Sequence, residues 1–96
     1  MNLRTACYII GNGNRARGHD LITAIAARFI HARKKHPVFA EGKYQALGVI
    51  ESEIHELAYA IEHETQERVQ DELIDVIVTS GRKWLGEDET EAKEKA

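Results

Sequence analysis

The stretch Val49–Gly86, VIESEIHELAYAIEHETQERVQDELIDVIVTSGRKWLG, decides the fold. Its apolar residues recur at intervals of three and four. Ile50, Ile54, Leu57 and Ile61 lie in the first half, and Val69, Leu73, Val76 and Ile77 in the second. That period belongs to a helix with one buried face, not to a strand. Thr65 and Gln66 mark a polar turn between the halves. The stretch therefore predicts two amphipathic helices, about Tyr44–His63 and about Glu67–Leu85, side by side in an antiparallel hairpin.

Each of these helices carries two acids three residues apart: Glu53 with Glu56, and Glu72 with Asp75. A turn of 3.6 residues puts the members of each pair about 60° apart, on one flank of the apolar stripe. A constant offset of 19 residues relates the two halves, for acids and stripe alike. In the hairpin the four carboxylates can meet at the edge of the core. Such a group repels itself unless a cation neutralises it or some members are protonated. Oxygen-only donors suit Mg2+, Mn2+ or Ca2+ rather than zinc. Acids are 16 of 96 residues, so pairs such as Glu64/Glu67 and Glu91/Glu94 also arise from composition. Spacing alone favours a solvated acidic face. The matched register is what singles out the four.

Outward from the hairpin, Asp20 can cap a preceding helix that runs to about Lys35, with Leu21, Ile22, Ile25, Ala26 and Phe29 as its buried stripe. Its end is basic, with Arg28, Arg33, Lys34 and Lys35. Cations there suit a helix C-terminus; the alternative is that one or two reach substrate phosphates. Pro37 stops the helix and pushes His36 out of helical geometry. Residues 37–43 form a loop. Residues 1–17 are an N-terminal arm or short helix joined to the rest by a Gly-rich loop, GNGNRARG at 11–18. That loop lacks the Lys-Ser/Thr ending of a phosphate-binding P-loop. Residues 18–86 form the helical domain, and 87–96 a charged tail that is frayed or disordered.

The last helix is apolar on a second side, through Ile74, Val78 and Leu85 with Gly81 between. Three main helices cannot cover both sides. The expected fold is therefore all-α: a short antiparallel bundle of three main helices, completed by a second copy in an isologous dimer. Hydrophobic residues at 43%, charged residues at 30% and a net charge of −3 fit a globular chain with no general pull toward nucleic acid or anionic membrane. No apolar run is long enough to span a bilayer. Cys7 is the single cysteine, and the N-terminus lacks the apolar core of a signal peptide, which together suggest the cytoplasm.

Glu53-Ile-His-Glu56-Leu, then fourteen residues, then Glu72-Leu-Ile-Asp75-Val resembles the ExxE…ExxD signature of the all-α NTP pyrophosphohydrolases, which include MazG-like proteins, dimeric dUTPases and phosphoribosyl-ATP pyrophosphohydrolases. The resemblance covers residues 44–86. Ser52 departs from it, because many relatives carry a further glutamate there. The resemblance implies an all-α NTP pyrophosphatase-like fold, with Mg2+ (or Mn2+ in its place) held by Glu53, Glu56, Glu72 and Asp75. It also implies cleavage of a nucleoside triphosphate between the α and β phosphates, giving the monophosphate and pyrophosphate. Such a role is nucleotide-pool house-cleaning, in a homodimer or a dimer of dimers. Glu53 or Glu56 is the expected general base. Polyphosphate also needs positive charge, for which Arg82, Lys83, Lys34 and Lys35 are the candidates, Arg82 first. Phosphoribosyl-ATP is the lesser substrate expectation, because the loops do not look like that branch. The alternative from another class is a non-catalytic helical dimerisation module. His55 and Tyr59 fall on the far face of their helix, and Trp84 reads most simply as a packing anchor.

Overall fold

Three side chains start three helices. Asn2 Oδ1 accepts from the Thr5 backbone N–H at 2.8 Å, Asn14 Oδ1 from Arg17 at 3.1 Å, and Thr65 Oγ1 from Arg68 at 3.3 Å. Each satisfies one of the N–H groups that a first helical turn leaves unpaired. In a computed structural model that describes residues 1–89, the helices are α1 (Leu3–Ile10), α2 (Arg15–Lys35), α3 (Lys43–His63) and α4 (Gln66–Trp84), with no strand among the described residues. α2 stops before Pro37, with His36 outside helical geometry at φ −131° and ψ 79°. Gly86, at φ 76°, follows the end of α4 in the left-handed region that glycine adopts freely.

The first ten residues resolve to a helix rather than an extended arm. The Gly-rich segment is a loop only as far as Asn14, so α2 begins at Arg15 and not near Asp20. Composition misleads here because Gly18 serves packing. A Cβ on Gly18 would run into the Cys7 carbonyl, so its absence lets α1 and α2 touch backbone to backbone. α1 packs against α2 alone.

α4 is the centre of the fold. The two-residue link Glu64–Thr65 returns it antiparallel against α3. α2 runs along its other side in the same direction as α4, since Arg28 meets Asp71 and Asp75, Phe29 meets Gly81, and Arg33 reaches Glu87. The backbones of α2 and α3 do not approach each other closely. They stand apart as two walls above α4.

This arrangement corrects the reading of α4. Val78 is buried and Ile74 half-buried on the side beside α2, where Phe29 lies against Gly81. That face was expected to await another chain. Leu73 and Ile77, expected inside, are 44% and 40% exposed. Trp84 is no packing anchor: it is 85% exposed. The start of the tail, expected to be frayed or disordered, is docked. Glu87 pairs with Arg33 and Arg82, while Asp88 is buried, holds Lys83 at 3.3 Å and accepts the Gly42 N–H at 2.9 Å. The rest of the tail lies outside the described residues.

Candidate metal and phosphate site

Between the two walls lies a cavity of about 440 Å3. Its floor is α4, through Asp75, Val78, Thr79 and Arg82. The α3 wall is Val49, Glu53 and Glu56, and the α2 wall is Arg28, His31, Ala32 and Lys35. His36 and Phe39, from the loop after α2, close one end. One wall is acidic and the other basic. Both helices pack on α4, and residues of each line this one cavity across from the other.

Three of the four predicted acids converge. One oxygen each of Glu53, Glu56 and Glu72 lie within 4.8 Å of one another. Glu72 is only 6% exposed. Its Oε1 accepts from Arg68 at 2.9 Å, and its Oε2 is buried with no hydrogen-bond partner. Glu53 Oε2 is likewise buried and unpartnered. Burial, then the neighbouring Glu56 and Asp75 charges, push the Glu53 carboxyl up to about 7. Burial first, then Asp75 and Glu56, also raise Glu72, against the pull of Arg68. Buried oxygens without donors, in carboxyls forced toward the protonated form, are what a divalent cation would relieve. The residues therefore fit a hard cation with oxygen ligands.

Asp75 lines the same cavity but stands outside this trio. Arg28 donates from Nη1 to Asp75 Oδ1 and lies 3.5 Å from Asp71. The 19-residue symmetry pairs Asp75 with Glu56, and α2 breaks that symmetry by packing on one helix of the hairpin only.

The predicted cations divide. Lys35 lines the cavity. Arg82 also reaches it, but is 3% exposed and committed: Nε donates to Glu87 at 2.8 Å, Nη1 donates to the His36 carbonyl at 3.0 Å, and the guanidinium covers the Phe39 ring. Lys83 is paired with Asp88, and Lys34 is exposed and away from the cavity. Arg28, one of the basic residues expected to be able to reach phosphates, stands beside Lys35 on this wall, and His31 is the additional residue, with His36 at its end. Their signal was present: positions 28, 31 and 35 share one helical face.

A second hollow on the other side of the acids is lined by Ser52, His55, Glu56, Tyr59, Glu64, Arg68 and Glu72. Glu56 borders both, so the trio sits between two open spaces. Comparison with protein-family models, with curated proteins and with solved structures finds no match. No helix among the described residues is long and apolar enough to cross a membrane.

Proposed function

We propose that the chain is a metal-dependent nucleoside triphosphate pyrophosphohydrolase. The observation that carries this reading is the cavity itself, with converging carboxylates on one wall and cations on the facing wall. A cation-bridged polyphosphate has that charge pattern, with metal-ligated oxygens on one side and free anionic oxygens on the other. Glu53, Glu56 and Glu72 hold Mg2+ or Mn2+, with Asp75 as the fourth ligand. Bound there, the cation supplies charge neutralisation and acidifies a ligated water. Arg28, His31 and Lys35 take the phosphate oxygens that face α2. Glu53 or Glu56, the two carboxylates of the α3 wall, would accept the proton from the attacking water. The Val49, Val78 and Phe39 side chains line the apolar part of the cavity and limit water there. The ExxE…ExxD resemblance supports cleavage between the α and β phosphates.

The working unit is a homodimer. The chain exposes 7124 Å2, against about 5,500 Å2 for a compact chain of its mass. Its radius of gyration is 15.0 Å, against about 12.5 Å expected. The face of the hairpin opposite the acids presents Leu47, Ile54 and Ile61 from α3, with Leu73 and Ile77 from α4, all exposed. A second copy covers this stripe.

The test is incubation with Mg2+ and a panel of ribo- and deoxyribonucleoside triphosphates, with both products quantified. Monophosphate and pyrophosphate in equal amounts are expected from at least one nucleotide. Glu72→Gln should reduce turnover at least about a hundredfold while the helical circular dichroism persists. Orthophosphate as the first product, or no release from any nucleotide, contradicts the reading.

A further inference from the structure

We propose that Arg28 is a partner-exchanging residue: its guanidinium holds Asp75 until a divalent cation claims that carboxylate, and then turns to the phosphates of the substrate. This rests on the metal and polyphosphate reading above.

The geometry supports it from three sides. Asp75 occupies the position on α4 that Glu56 occupies on α3, and it lines the same cavity as Glu53 and Glu56 of the trio. The group that binds Asp75 comes from another helix: Arg28 on α2 donates to Oδ1. Asp75 is therefore a ligand held in reserve by a competing cation. Arg28 also has a second acid, Asp71, at 3.5 Å, so loss of Asp75 does not strand its charge. Finally, Arg28 shares the α2 wall with His31 and Lys35, where phosphate oxygens opposite the metal would lie. A guanidinium suits both tasks, since its planar fork matches carboxylate and phosphate alike. The head group need only change rotamer, with its α2 anchor fixed.

Two consequences follow from one competition. Arg28 weakens the hold on a divalent cation when no phosphate is present, and it strengthens the hold on a polyphosphate when the cation is bound. By linkage each ligand then favours the other. The residue acts as a positioning group for Asp75 and a binding group for phosphate, and it makes the site accept metal and substrate together.

The experiment is calorimetric titration of Mn2+ into the full chain, without phosphate, for the unaltered protein, Arg28→Gln and Lys35→Gln. Lys35→Gln removes one charge from the same wall and measures the through-space effect alone. Arg28→Gln should bind Mn2+ about three- to tenfold more tightly than the unaltered protein, and clearly more tightly than Lys35→Gln. With Mn2+ saturating, Arg28→Gln should bind inorganic tripolyphosphate at least about tenfold more weakly. Mn2+ affinity that is unchanged or lower in Arg28→Gln, or matched by Lys35→Gln, overturns the exchange and leaves the metal reading standing. No Mn2+ binding by the unaltered protein overturns both. Should Arg28→Gln fail to fold, the Arg28 Nε–H resonance of the unaltered protein decides. It should move as Mg2+ binds, and an unmoved signal with Mg2+ bound overturns the proposal.

Discussion

Glu53 carries the electrostatic cost of the site. Its carboxyl is pushed from an ordinary 4.5 up to about 7, by burial first and then by Glu56 and Asp75. The folded chain thus binds this proton more tightly than the unfolded chain. Stability from this group is full below the ordinary value and is lost as pH rises through about 7. Glu72, raised for the same kind of reason, acts in the same direction. At Glu87, burial pulls upward, but hydrogen bonds from Arg33 and Arg82 outweigh it and hold the carboxyl below its usual range. That contribution has the opposite sign and disappears only in acid. In the presence of a chelator, Tm should therefore fall between about pH 5 and about pH 8, and Glu53→Gln should flatten the fall. Mg2+ should restore Tm most at the alkaline end. A Tm that rises through this interval in chelator, or a Glu53→Gln profile as steep as the unaltered one, would count against the buried cluster.

Among the elements, α3 and α4 were legible in the sequence and α2's partner was not. Helical period and the offset of 19 residues identify the hairpin, because both are properties of a single segment read along itself. They also place Glu53, Glu56 and Glu72 together. Nothing in one sequence says which of two apolar faces a neighbouring helix will cover. So Ile74 and Val78, expected to meet a second copy, lie beside α2, and Leu73 and Ile77, expected inside, are left partly exposed along an open hollow with α2. Asp75 differs for the same reason: its ion pair with Arg28 exists only once α2 is docked. The Gly- and Asn-rich segment misled because Asn14 is a helix cap and Gly18 a point of close approach, and both residue types are also the marks of a loop. Gly18→Ala is the test at this level. It forces a Cβ against the Cys7 carbonyl and should cost about 1–3 kcal/mol. An eight-residue helix does not persist on its own. Amide hydrogen exchange should accordingly show α1 losing protection while α3 and α4 keep theirs; unchanged protection in α1 would mean that the helices separate without consequence.

The molecule is flat, with extents of 41 × 38 × 20 Å, because among the described residues α4 has one helix on each side and none across the hairpin face. Leaving Leu47, Ile54, Ile61, Leu73 and Ile77 in water is costly, at roughly 25 cal/mol for each Å2 of apolar surface that a partner could cover. Sedimentation velocity should find a dimer. Leu73→Glu, which places a charge in the middle of the stripe without touching the acids or the basic wall, should give a monomer of lower Tm. A monomeric unaltered chain, or a dimer that tolerates Leu73→Glu, would move the interface elsewhere. On the proposed reading the two faces of the hairpin divide the work, one for association and one for chemistry. What ties them to a function is the claim that Glu53, Glu56 and Glu72 hold one cation. Mn2+ titration followed by electron paramagnetic resonance of the free ion tests it most directly. One tight site per chain is predicted, weakened at least about tenfold in Glu72→Gln; no bound Mn2+, or equal binding by Glu72→Gln, would contradict it.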